Sequence, residues 1–130
     1  MTIEAGLLVY LATQAGLVAK VSSRIYAMHA PQNVTLPCIT YQRISTARNL
    51  THDLTSSTLS DARFQFDIFA QKYIDALAIS EELRKALQGY AGAMSTETVY
   101  AVLPVLEQHL DDPDMDYFRL TIDYIISHKE

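Results

Sequence analysis

Alternation is clearest between Ala62 and Ile68, where Phe64, Phe66 and Ile68 hold one set of positions and Arg63, Gln65 and Asp67 the other. A period of two puts these sets on opposite faces of a strand, the pattern of a half-buried antiparallel strand. After Gln71 the period lengthens. Ala76, Ile79, Leu83, Ala86, Leu87 and Tyr90 fall on one helix stripe, while Glu81, Glu82, Arg84 and Lys85 lie largely off it. Gly89 stands where a left-handed residue closes a helix, and Lys85 in its last turns complements the dipole. A helix with one apolar stripe, fed directly by a strand with one apolar face, must lie on a sheet.

The remaining segments extend that plan. Thr2 is placed as an N-cap and Glu4 in the first turn of a helix whose stripe is Ile3, Leu7, Tyr10 and Leu11. Leu8, Val9 and Ala12 make this helix apolar nearly all round, as expected of one covered on more than one side, for instance by a partner subunit. Gly16 is read as its end, and Val18–Ser22 has no assignable period. Ile25–Met28 reads as a short strand, Pro31-Gln32-Asn33 as a turn, and Cys38–Ile44 as a strand that Pro37 starts, so that the two strands form a hairpin. From Ser45 to Ser60 the sequence turns polar and loses its period, giving a long loop or an extended hairpin arm. Thr98–Leu103 reads as a strand with an edge or break at Pro104, and Leu106–Leu110 is unassigned. Asp111–Asp114 is a turn. The final strand, Tyr117–Ile126, places Phe118, Leu120, Ile122, Tyr124 and Ile126 on one face and Arg119, Thr121 and Asp123 on the other. The expected fold is α+β: a mainly antiparallel sheet packed by two main helices, in a single domain over residues 1–130.

Composition narrows the function more than it specifies it. With 49% hydrophobic and 19% charged residues the chain is too apolar for disorder, and it lacks the uncharged run of about 18 residues that a membrane helix needs. A soluble globular protein with no membrane contact is expected. Thr2–Ala15 is apolar but carries Glu4 and no basic start, so it reads as a helix and not a secretion signal. A net charge of −5 argues against a general grip on nucleic acid, which needs a basic patch to displace counterions. Cys38 is the single cysteine, which excludes an intrachain disulfide and a thiolate zinc site, and it is expected to be a packed structural thiol.

Candidate chemistry is sparse. His29, His52, His109 and His128 are scattered without the spacing of a ligand pair and are expected at the surface. No serine sits in a nucleophile elbow, and no glycine-rich lysine loop is present. Asp112-x-Asp114-x-Asp116, with Asp123 in the twelfth position, has the carboxylate spacing of a calcium loop. Yet Tyr117 replaces the required glycine, an aspartate replaces the terminal glutamate, and a strand follows. An acidic hairpin turn is therefore expected, with Asp112, Asp114 and Asp116 only weak metal candidates. No catalytic residue and no cofactor is expected. The polar arm at about 45–60 is the first candidate contact surface, because a loop of that length in a compact domain is usually functional.

Taken in order, these segments resemble the tail-completion, or tail-terminator, family of long-tailed bacteriophages. The resemblance rests on Ala30–Pro37 leading into Ile39–Ser45, the strand Ala62–Asp67, Tyr73–Leu77 with the helix after it, and Asp112–Asp114 followed by Tyr117–Tyr124. It implies a non-enzymatic α+β virion subunit, assembled in the host cytoplasm, that forms a ring, usually a hexamer, on the last ring of the tail tube. Its implied partners are further copies of itself, the major tail tube protein and a head-completion or connector protein, with DNA passing through the channel without specific binding. Arg48, Asn49, Leu50 and His52 are then expected to lie in an arm that contacts a neighbouring subunit or the tube. Another small ring protein of the virion, a head-completion, connector or tube protein, is the alternative.

Overall fold

Among residues 2–50, 56–111 and 116–129, which the computed structural model describes, the central alternation lengthens into β3 (Ser56–Ala70). It is flanked by two other long strands, β2 (Cys38–Leu50) and β6 (Phe118–Lys129), both antiparallel to it. Phe64, Phe66 and Ile68 are buried, and their cross-strand partners Tyr124, Ile122 and Leu120 are buried with them. Outside β6 lies β5 (Glu97–Asp111), and outside the start of β5 lies the three-residue β4 (Gly92–Met94). At the other side β1 (Ile25–Ala27) completes a six-stranded order β1-β2-β3-β6-β5-β4. The sheet is thus mixed, because β1 pairs with β2 in parallel, Ile25 opposite Ile39 and Ala27 opposite Tyr41.

That parallel pair corrects the expected hairpin. The chain between Ala27 and Cys38 is long enough to travel back and start β2 from the same end as β1. Its turn follows the sequence signal, with Asn33 at φ 58°.

Three helices, α1 (Ile3–Ala12), α2 (Ala15–Val21) and α3 (Tyr73–Leu87), join the inner face of the sheet in one apolar core. Thr2 caps α1 as expected, its Oγ1 accepting from the Ala5 N–H. Gly16 does not end this helix. The break comes at Thr13 and Gln14, where the Thr13 N–H and hydroxyl both turn back to Tyr10 O, and Gly16 lies inside α2. The third helix buries Ala76, Ile79, Leu83, Ala86 and Leu87, the stripe read from the sequence, and closes at Gly89 with φ 75°. Close approach fixes α1 against β4: a Cβ on Gly6 would stand 2.6 Å from Met94 O. Tyr10 and Tyr90 pack at a tilt with ring centroids 4.4 Å apart, and the Tyr10 hydroxyl donates to Ala86 O, tying α1 to the end of α3.

The outer face of the sheet is polar but not open. Asp67, Thr121 and Asp123 are buried within it, held by cross-strand bonds. Arg63 Nη2 and Nε lie 2.7 and 3.2 Å from Asp123 Oδ2, and Asp67 Oδ1 accepts from Thr121 Oγ1 and Arg119 Nε at 2.6 and 3.1 Å. Charge pairs between neighbouring strands let this face close over itself without a helix.

Candidate functional site

The polar segment from Ser45 onward is an extended hairpin arm, settling the choice the sequence leaves open. β2 continues through Leu50 and pairs with β3, Thr46 opposite Ala62, Arg48 opposite Ser60 and Leu50 opposite Ser56. Arg48, Asn49 and Leu50 therefore lie on its strand, and His52 lies outside the described residues. Bulges interrupt the arm between Arg43 and Ser45 and between Arg48 and Leu50. The first turns Ile44 out to solvent, as bulges re-aim side chains at sheet edges. Arg43 stays over the core, its guanidinium 5.7 Å from the Phe64 ring centroid and Nη2 2.7 Å from Glu4 Oε1.

At the opposite side of the sheet, Pro104 does not stop β5, which runs on to Asp111. A bulge between Pro104 and Leu106 accommodates it, on a strand that no other described strand flanks beyond Val99. Every residue from Leu103 to Leu110 is exposed, including Leu103 at 56%, Val105, Leu106 and Leu110. The sequence reading ended the strand at Leu103 and left Leu106–Leu110 unassigned. Its signal was present as four large aliphatics with no period, which fits a strand covered on neither face.

Between this strand and α3 runs an open groove of about 590 Å³, with Ile122 and Tyr124 on its floor. The Tyr73 hydroxyl bonds His109 Nδ1 at one end, and Glu81 and Arg84 line the α3 side. Burial, with Glu107 adding and Arg84 opposing, pushes the Tyr124 phenol up to about 12. The phenol on the groove floor is thus neutral at ordinary pH.

Two other candidates are buried groups of the fold. Cys38 is buried and its thiol is pushed up by burial, with Arg24 pulling the other way, which is the opposite of an activated nucleophile. His128 is buried, contrary to the surface position expected. It stands opposite Ser60 on the inner face, and its Nε2 has no hydrogen-bond partner among the described residues. The strand's inward alternation, continuing from Ile126, carries it there. Asp112 and Asp114 lie outside the described residues, Asp116 is exposed, and Asp123 is committed to Arg63. No group of three or more metal-ligating side chains occurs among the described residues.

No curated protein sequence matches the chain. In fold it is similar to a chain in the solved structure "Virion of native gene transfer agent (GTA) particle", at 14% identity, with a TM-score of 0.81 over 98% of this chain and 95% of that one. The model of the family described as "Tail completion protein gp17" matches residues 5–129. With nearly its whole length matched, the chain belongs to the tail completion protein gp17 family, structural proteins and not enzymes.

Proposed function

We propose that this protein caps the tail tube of a long-tailed phage or phage-like particle as a ring, stops tube polymerisation and joins the tail to the head. The family match across residues 5–129 carries the reading, and the likeness in fold to a chain of a gene transfer agent virion supports it. Such a role requires surfaces and no reactive groups. The molecule offers apolar surface at both sides of its sheet, Ile44 on β2 and Leu103, Val105, Leu106 and Leu110 on β5.

The ring is a hexamer of roughly 88 kDa from copies of 14.6 kDa, stacked between the major tail tube protein and a head-completion or connector protein. The arm at 45–60, with Arg48, Asn49, Leu50 and His52, contacts a neighbouring subunit or the tube. A net charge of −5 suits a channel through which DNA passes unheld. Electron microscopy of particles assembled without the protein tests the reading. Overlong or headless tails are expected, and normal, infectious or DNA-delivering particles would refute it.

A further inference from the structure

The sheet ends in two unlike edges. On one side β1 covers β2 only from Ile39 to Tyr41, and from Gln42 onward no described strand flanks it. On the other, β4 covers β5 only from Glu97 to Val99, the Gly89 N–H reaches Val102 O, and nothing among the described strands flanks it further. An edge of this kind presents a row of unpaired backbone groups, and natural proteins usually blunt it with lysines, proline or bulges. Here Pro104 and its bulge blunt only the first part. From Leu106 to Leu110 the strand is regular in its pairing to β6, contains neither proline nor lysine, and is exposed throughout. The two bulges of β2 likewise leave a regular run, Ser45–Arg48, between them.

The two runs fit one another in length, direction and charge. In sheet order β2 and β5 point in opposite directions, so a second copy laid edge to edge continues the sheet antiparallel. Gln42–Leu50 carries Arg43 and Arg48 and no carboxylate, while Leu103–Asp111 carries Glu107 and Asp111 and no lysine or arginine. Arg43 is itself paired with Glu4 within the subunit. Setting the regular runs flush places Thr46 opposite His109 and Arg48 opposite Glu107. Arg48 shares a register row with Ser60, as Glu107 does with Ile122, so both positions fall on the same side of the continued sheet.

We infer that the free edge of β5 is the seat of a second copy's β2 arm, joined by antiparallel strand pairing with Arg48 opposite Glu107. Because the two edges differ, the contact is head-to-tail and generates a ring when the rotation closes. The free runs sit at different heights on the sheet, so successive copies are staggered along the strands, as tilted strands are in a closed barrel. The seam covers Val105, Leu106 and Leu110. It rests on the ring-forming reading above and specifies which surfaces close the ring.

The test uses purified particles carrying Thr46→Cys together with His109→Cys. Directly opposed residues on paired strands have Cβ atoms about 4.5–5.5 Å apart, near enough for a disulfide after small adjustment. Oxidation should give a ladder of covalent multimers on a non-reducing gel, with each single variant giving none. Monomer alone from particles that contain the double variant would overturn the seam and leave the tail reading standing. Absence of the wild-type protein from purified particles would remove both. Where the cysteine variant fails to incorporate, charge reversal decides. Glu107→Arg should cut incorporation at least tenfold and Arg48→Glu with Glu107→Arg should restore it, whereas equal incorporation of all three proteins, or no restoration, would overturn the seam.

Discussion

The Arg63–Asp123 pair allows a sharp test of how the polar face of the sheet is held. Its two ends are not equivalent: the Asp123 side chain is 6% exposed and that of Arg63 35%. Arg63→Met strips both bonds from Asp123 Oδ2, while Oδ1 already lacks a partner among the described residues. A carboxylate left buried without its cation costs about 3 kcal/mol, the lower end of the range for breaking a buried pair. Asp123→Leu leaves a guanidinium that is a third exposed and can return to water, so the loss is about 1 kcal/mol. The double variant should then lie near the Asp123→Leu value, since no charge remains stranded. Urea unfolding at neutral pH, with equal m-values confirming comparison of like transitions, measures all four corners of this cycle. A loss from Arg63→Met no larger than that from Asp123→Leu would refute the argument that burial asymmetry decides the cost.

Leu83 is fully buried at the centre of α3, and Leu83→Asp should abolish folding, whereas the exposed Ile74→Asp on the same helix should change stability by less than about 1 kcal/mol. A soluble Leu83→Asp protein with a cooperative melt would contradict the packing. Tyr124 is raised from 10.0 to about 12, so its contribution is complete below pH 10 and is lost as pH climbs through the folded value. About 2–3 kcal/mol should disappear between pH 10 and 12, and Tyr124→Phe should flatten that fall in a pH series of urea unfolding curves. An unchanged slope would contradict it. Replacing Ala47–Ser57 with a short turn leaves Thr46 opposite Ala62 and should preserve the melting transition while blocking tail joining. Fully joined particles from that variant would remove the arm's role.

What the sequence disclosed follows from how burial writes itself into a pattern. β3, β6 and α3 each have one buried face, and Phe64, Ile122 and Leu83 stand where the two periods put them. The first helix was visible too, but α2, seven residues with only Leu17 and Val21 buried, is too short to show a period. Alternation is the same for parallel and antiparallel partners, so Ile25–Ala27 announced a strand but not its direction. The polar arm was visible as an anomaly and is strand, because pairing to β3 sustains it where the sequence shows no apolar alternation. The candidate edge was hidden for a related reason. Leu103–Leu110 has no inside and no outside within one chain, and Pro104 reads as a stop unless the strand's outer side is known to be free.

A reconstruction of the intact particle at the junction of tail and head would show whether this chain forms the ring there. A single ring of six copies of this chain is expected between the last tube ring and the head connector, with each copy's β5 edge against the next copy's β2 arm. Particles in which that position is filled by other proteins, with this chain absent or repeated along the tube, would contradict it.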